Sequence, residues 1–588
     1  MVTGLERFLA RLGRVLTCCL AALLATASLQ AAEPADLILH GGKVVTVNTR
    51  FDIADAIAVR GGAIVAVGTN EEILKHKGDQ TAIIDLDGKM VLPGLIDSHV
   101  HPGGASMHEF DHPIPAMESI ADVLAYVRER AKVLPAGEWI TVRQVFITRL
   151  REQRYPTRKE LDEAAPDHPV AFSTGPDAAV NSLALKLNGI DRDFKETGAG
   201  KIERDESGEP TGVIRSAGRY LKIKDPPSRK ASETERDARL RELFTDYNRY
   251  GITGVIDRNC SSGGQEQYQR LRDAGTLTVR VRMSRSLGVG QPVEKIVADV
   301  ESLAKDPVFT NDDAMLKILG VKVFLDGGML TGSAYMREPW GVSKIYGIDD
   351  NQYRGLLYIP PETLVPAVKA CAERGLAFTA HSVGDGAVHA LLDAYEKVNE
   401  TVPIGPTRSS LTHSNFMSRE AVERCAKLKV PVDIQPAWLY LDTHTLVRQF
   451  GEERLRYFQP LKSLFEAGAI AGGGSDHMQR IDALKAVNPY HPFLGMWVAL
   501  TRRSKFHETP LHLEEALSRE QVIRFYTWNN AYLMKLEDKI GSLEPGKRAD
   551  LVIIDRDLLT CPVEDVRETK VVATYLDGRK VYPAPTSP

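Results

Sequence analysis

The segment Asp97-Ser98-His99-Val100-His101 places two imidazoles two positions apart. Alternate residues of a strand share a face, so His99 and His101 point the same way and can grip one metal ion. The apolar run Val91-Leu92-Pro93-Gly94-Leu95-Ile96 comes just before, so the pair ends a buried strand. Further on, Val321-Lys322-Val323-Phe324-Leu325-Asp326 sets a lysine inside an apolar run. Such a lysine costs free energy unless it is paired or modified. A salt bridge to a nearby carboxylate is one solution. The other is a carbamate formed with CO₂, which can bridge two metal ions and requires a neutral amine, a state that burial near cations favours.

Two single histidines end later apolar runs, His381 in Phe378-Thr379-Ala380-His381 and His413 in Leu411-Thr412-His413. A lone histidine in such a place is usually a satisfied core residue, but two on consecutive strands downstream of His-x-His point to further ligands. The last motif is Ala471-Gly472-Gly473-Gly474-Ser475-Asp476-His477. A carboxylate there can accept a proton from metal-held water and touch the metal. The glycines let backbone and ligand approach closely, and a helix N-cap role for Asp476 is compatible with this. His477 reads as a solvent-facing loop histidine with no assigned role.

These residues need a scaffold that brings strand ends together. Eight strand-like runs are legible: Met90–His101, Ile252–Arg258, Thr278–Ser284, Leu316–Asp326, Leu376–His381, Ser410–Ser414, Val430–Gln435 and Ala469–Asp476. Helical patterns such as Pro361–Arg374, Gly386–Asn399 and Arg419–Leu428 separate them. Alternating units of this kind predict an α/β protein built on a (β/α)8 TIM barrel over 89–540, whose active site lies at the C-terminal strand ends. Residues 112–240, polar and proline-bearing, do not fit the count and read as an insertion after the first barrel strand. Short β-branched runs punctuated by Gly41-Gly42 and Gly61-Gly62 fill 36–88, and 541–583 has the same style. Neither end has strands enough for a sandwich, so a composite β-sandwich from both ends is expected, with the termini meeting in space. Surface charge runs such as Glu233–Arg241 read as solvated helix faces.

The chain has 588 residues, 43 % hydrophobic and 26 % charged, which excludes a disordered, fibrous or polytopic membrane protein. With 74 Lys plus Arg against 78 Asp plus Glu it has no basic excess to neutralise a nucleic-acid backbone. Arg7, Arg11 and Arg14 precede the apolar run Val15–Ala27, and small residues follow at Ser28 and Ala31-Ala32. This is the pattern of a secretory signal peptide over 1–31, too short an apolar run to span a bilayer at about 20 residues per crossing. The expected location is therefore periplasmic or secreted, with no stable membrane span after processing. Cleavage removes three arginines and one glutamate and takes the net charge from −4 to −6. Cys260, Cys371, Cys425 and Cys561 remain, far apart and without Cys-x-x-Cys, so neither a disulfide scaffold nor a thiolate zinc site is expected.

The set resembles the amidohydrolase superfamily and, within it, the amidohydrolase family 3, YtcJ-like group of metal-dependent hydrolases. The resemblance runs from about Ala35 to Tyr582 and includes Arg158-Lys159-Glu160-Leu161-Asp162, Gly208-Glu209-Pro210-Thr211-Gly212 and Gly541-Ser542-Leu543-Glu544-Pro545-Gly546-Lys547-Arg548-Ala549-Asp550. It implies a hydrolase of C–N bonds other than peptide bonds (EC 3.5 class), acting on N-acyl or cyclic amides through metal-activated hydroxide, usually with zinc. Carried over by motif, His99 and His101 hold the more buried ion, carboxylated Lys322 bridges, His381 and His413 hold a second ion, and Asp476 is a metal-contacting general base. One or two divalent ions are implied, two being favoured.

The family's usual Asp-Gly-His phrase reads Thr174-Gly175-Pro176-Asp177 here, so that if its histidine meets substrate in relatives the substrate of this chain differs, and the family's Glu-His phrase reads Thr412-His413. A one-metal deaminase would carry His-x-x-Glu after strand five, where this chain has His381-Ser382-Val383-Gly384. A lactone- or ester-opening hydrolase on the same site, and a non-catalytic exported binding or regulatory protein, stay open. The expected partner is a small-molecule substrate, with no nucleic acid, and a homo-oligomer also stays open.

Overall fold

The computed structural model describes residues 33–143, 145–174, 177–198, 200–224 and 230–583. The expected signal peptide at 1–31 lies outside the described residues. Eight parallel strands form one sheet in chain order: β1 (Leu95–Val100), β2 (Ile252–Cys260), β3 (Arg280–Ser286), β4 (Leu316–Phe324), β5 (Ala377–Ser382), β6 (Ser410–His413), β7 (Val432–Ile434) and β8 (Ala471–Gly473). The sheet curls until its two edges meet. Asp476 N donates to His99 O and His101 N to His477 O, each at 2.8 Å, which nearly closes an eight-stranded TIM barrel. Helices Pro361–Glu373, Asp385–Asn399 and Arg419–Leu428 lie where the apolar periodicity places them.

The run Met90–His101 is two strands, not one. Met90–Pro93 pairs with Leu551–Ile554 and Lys43–Val45, whereas Leu95–Val100 enters the barrel. Gly94 is the crossing point. Its N–H donates to Asp550 O, and a Cβ there would lie 2.1 Å from Thr253 Oγ1. Only glycine lets the backbone pass so close.

The two ends of the described chain share a β-sandwich, as expected. A six-stranded sheet takes Leu551–Ile554, Val571–Leu576 and Arg579–Tyr582 from the C-terminal end and Lys43–Val45, Ile53–Ala54 and Met90–Pro93 from the N-terminal end. A four-stranded sheet of Ala63–Gly68, Ala56–Arg60, Leu37–His40 and Ala82–Asp85 faces it. Leu39, Val44, Ile57, Val91, Leu551 and Tyr575 form the apolar layer between them.

The segment between β1 and β2 carries its own five-stranded sheet, ordered Lys201–Arg204, Pro210–Arg215, Asp177–Val180, Val170–Thr174, Ile140–Arg143. Trp139, Ala171, Val180, Ile202 and Ile214 give it a separate apolar cluster. It ends before helix Glu233–Arg249, whose Leu240, Leu243, Phe244 and Tyr247 are buried. The polar face read from Glu233–Arg241 is thus the outer side of a barrel helix. Buried Arg215 ties this sheet to the long loop after β4. Its Nη1 donates to Tyr155 Oη at 2.9 Å and to Thr331 O, its Nη2 to Tyr346 O, and its Nε pairs with Glu203 at 3.1 Å. Asp177, from the phrase that departs from the family pattern, accepts from Ser216 N at 2.9 Å and Ser333 Oγ at 3.1 Å beside it. Arg215→Met leaves Glu203 and Asp177, whose Oδ2 lies 3.4 Å from Arg215 Nη1, without their cation, and removing one partner of a buried pair costs about 3–5 kcal/mol. Urea unfolding is expected to report a loss of that size; a loss under about 1 kcal/mol, the scale of a surface pair, would contradict it.

Among the described residues, Cys260, Cys371, Cys425 and Cys561 are all free thiols, and no helix is long and apolar enough to cross a membrane.

Candidate metal centre

All six residues singled out by their spacing lie at the C-terminal mouth of the barrel. His99 is fully buried near the end of β1, and His101 follows one turn of the pleat later. Their Nε2 atoms are 3.3 Å apart. Asp476 Oδ1 sits 3.1 Å from His101 Nε2 and 3.3 Å from His99 Nε2. The three donor atoms lie within 4.8 Å of one another, and among the described residues they form the cluster suited to a metal ion. His413 continues the array, its ring 4.7 Å from that of His99 and 4.6 Å from that of His381. Trp438 stacks on the outer side of His413 at 5.0 Å.

The local backbone is unusual. His413, Ser414 and Asp476 have φ of 71°, 43° and 57°. Side-chain-bearing residues in the left-handed region cost about 1–3 kcal/mol each and persist where surrounding structure over-determines them. For Asp476 that determination is visible, since its N–H is held by His99 O and its carbonyl accepts Asn488 Nδ2 at 2.8 Å.

The donor set fits a cation. His99 Nδ1 lies 2.9 Å from Asp433 Oδ1, so its proton is on Nδ1 and the Nε2 lone pair faces inward. Burial, reinforced by Lys322, holds the His99 pKa well below the usual histidine value, and burial does the same to His413. Burial also raises Asp476 above the usual carboxylate range, with His101 opposing. The His99 Nε2 lone pair, His101 Nε2 and a carboxylate oxygen of Asp476 thus converge to within about 3 Å, where one positive ion can be shared by all three. Nitrogen and oxygen donors of this kind suit zinc and neighbouring divalent metals.

Lys322 is 2 % exposed on β4, with Nζ 5.5 Å from the centre of the Phe324 ring. Among the described residues it forms no ion pair within 4.0 Å. Burial lowers its pKa to about 8, with Asp433 and Asp476 pulling the other way. The unfolded chain therefore binds more protons than the folded one between pH about 8 and the ordinary lysine value. Metal-stripped protein gains stability from this residue as pH rises through that window, and the gain is absent below it. Lys322→Met is expected to flatten that part of the pH–stability curve relative to wild type, as measured by denaturant unfolding at pH 7 and pH 10. Parallel curves for the two proteins would refute the assignment.

His381 differs from its neighbours. Its Nε2 is 3.2 Å from Gly327 O, and burial lowers its pKa to about 3. Near it, fully buried Asp326 accepts backbone N–H groups from Tyr335, Val383 and Gly384 at 2.9–3.0 Å. His477 is not the solvent-facing residue expected. It is fully buried, accepts from Tyr247 Oη at 2.7 Å on Nδ1, and turns Nε2 to the carbonyls of Gln479 and Arg480 at 2.8 and 2.7 Å. It secures the loop that carries Asp476.

Sequence reasoning passed over Asp433 and Gln435 at the end of β7. Asp433 is an acid inside Val430-Pro431-Val432-Asp433-Ile434, the same signal that singled out Lys322. The chain also contains His108-Glu109-Phe110-Asp111-His112, the spacing of a zinc-protease helix. Here it lies beyond helix Pro102–Met107, Glu109 pairs with Arg480 at 3.0 Å, and His112 is taken up by Asp111 and Tyr126.

A cavity of about 2040 Å³ opens above the cluster. His101, Lys322, His381, His413 and Asp476 form its floor, the insertion contributes Trp139 and Phe146, and the loop after β4 contributes Met329, Leu330 and Tyr358.

The sequence profile of the amidohydrolase family matches residues 82–582. An N-substituted formamide deformylase of Arthrobacter pascens is 30 % identical over 552 residues, covering 92 % of this chain and 97 % of its own. A putative amidohydrolase, YtcJ of Bacillus subtilis, is 25 % identical, covering 93 % and 99 %. In fold, an uncharacterised metal-dependent hydrolase from Pyrococcus horikoshii superposes with a TM-score of 0.64 at 22 % identity, covering 90 % of this chain and 99 % of that one. With the family profile spanning most of its length and a relative of this identity aligned end to end, the chain belongs to the amidohydrolase family.

Proposed function

We propose that the protein is an exported, zinc-dependent hydrolase of a C–N bond in an N-acyl or cyclic amide. The observation that carries this reading is the convergence of His99 Nε2, His101 Nε2 and Asp476 Oδ1, with Lys322, His381 and His413 on the same cavity floor. His99, His101 and Asp476 would hold one ion and His381 and His413 a second, with Lys322 as its carbamate between them. Ions held there would polarise the amide carbonyl and acidify the attacking water.

The chain's own groups do the rest. Asp476 takes the proton from the attacking water on a carboxylate oxygen and returns it to the nitrogen as the C–N bond breaks. Its burial makes it a stronger base than a solvated aspartate. Trp438, packed on His413, holds that imidazole in place. Phe146, Met329, Leu330 and Tyr358 offer apolar walls, and a 2040 Å³ cavity is far larger than a formyl group needs. The substrate therefore carries a bulky group on one side of the bond, in keeping with the Arthrobacter relative being named for N-substituted formamides. The basic stretch and apolar run ahead of Ala31 support export.

Metal content of the purified protein, measured alongside turnover of N-formyl and N-acyl amines, cyclic amides and lactones, tests the reading. Close to two ions per chain and turnover of an amide are expected. Turnover of lactones alone would replace it with an ester-opening enzyme. No metal after metal-replete expression would replace it with a non-catalytic binding protein.

A further inference from the structure

Neither Asp433 nor Gln435 points a free atom into the cavity, yet they hold two of the cluster's histidines between them. Asp433 is fully buried. Its Oδ1 accepts from His99 Nδ1 at 2.9 Å and from Gln435 Nε2 at 3.0 Å. Its Oδ2 accepts from Thr412 Oγ1 at 3.0 Å and lies 3.1 Å from the Arg258 guanidinium. Gln435 Oε1, in turn, is 2.8 Å from His413 Nδ1.

The proton logic of this chain has one solution. An ionised carboxylate only accepts, so His99 must carry its proton on Nδ1 and Gln435 must turn its NH₂ toward Asp433. The amide oxygen is then left facing His413, which must also carry its proton on Nδ1. One carboxylate therefore sets the tautomer of two imidazoles on different strands, leaving both Nε2 lone pairs for the cavity. The Arg258 guanidinium and the Thr412 hydroxyl fix that carboxylate in orientation.

We propose that Asp433 and Gln435 are positioning residues that couple the two ligand groups, so that the His99–His101–Asp476 group and the His381–His413 group do not bind metal independently. The inference rests on the cluster being a two-ion site. Gln435 touches His413 but not His99, which makes it the informative position. Outer partners of metal-binding histidines are worth about 10–100-fold in affinity. In Gln435→Met, of similar length and shape, zinc titration of the chelator-stripped full chain is expected to weaken both binding steps by about 10-fold or more. A first step that keeps its wild-type affinity while the second weakens would overturn the coupling.

A second measurement needs no variant. Long-range ¹⁵N–¹H spectra of the histidine rings in stripped wild-type protein are expected to show the Nδ1–H tautomer for both His99 and His413. Nε2–H on either ring would overturn the proposal. This readout separates the two ideas: a wild-type chain that takes up no zinc defeats the two-ion reading, while the tautomers still decide whether the link exists.

Discussion

Asp476→Asn is expected to lower kcat about 10²- to 10⁴-fold, the range a general base contributes, while the metal content per chain stays near that of wild type. The reason for this separation is geometric. Asp476 Oδ1 is shared between His101 and His99 at 3.1 and 3.3 Å, and an asparagine carbonyl can occupy the same place as a neutral oxygen donor. What asparagine cannot do is take a proton from water and give it to a leaving nitrogen. The surrounding hydrogen bonds also favour a folded variant, because the backbone contacts of Asp476 with His99 O and Asn488 do not involve its carboxylate oxygens at short range. Steady-state turnover of the best amide, with elemental analysis of the same preparation, checks this. A variant within 10-fold of wild type would remove Asp476 from proton transfer, and lost metal would make it chiefly a ligand.

The six residues at the barrel mouth were legible because each is a polar group interrupting an apolar strand, which demands a reason wherever it occurs. Their convergence also followed from the fold, since strand ends of one parallel barrel meet on one face. Asp433 carries the same signal in a shorter run, but its meaning depends on His99, which is 334 residues away. His477 was misjudged for a related reason. A glycine-rich loop suggests solvent, whereas burial here is supplied by Tyr247, 230 residues earlier. The insertion shows the limit most clearly. Its strands are four to six residues long, and Ile140–Arg143 pairs in parallel with Val170–Thr174 across a helix, so local alternation says little about its sheet. The break at Gly94 was hidden because both halves of Met90–Val100 are equally buried, one in the sandwich and one in the barrel.

Lys322→Ala is expected to have the other large effect, a fall from about two ions per chain to about one and a loss of turnover of about 10²-fold or more. A merely structural lysine predicts something different. Its removal would leave a cavity beside Phe324 and cost stability, without changing metal stoichiometry. The buried amine, without an ion pair among the described residues and with a pKa lowered to about 8, is poised to lose its proton, as carbamate formation requires. A carbamate adds the anionic bridging oxygens that the cluster otherwise lacks between its two histidine groups. Small carboxylates offer a discriminating readout, because formate or propionate can enter the space vacated by the lysine chain and present two oxygens where the carbamate would. Partial recovery of both the second ion and turnover with added carboxylate, absent in Lys322→Met where the space stays filled, would identify the bridging role. Unchanged metal content and activity in Lys322→Ala would dismiss it, leaving His381 and His413 to bind a second ion without a bridge or to line the cavity as neutral imidazoles.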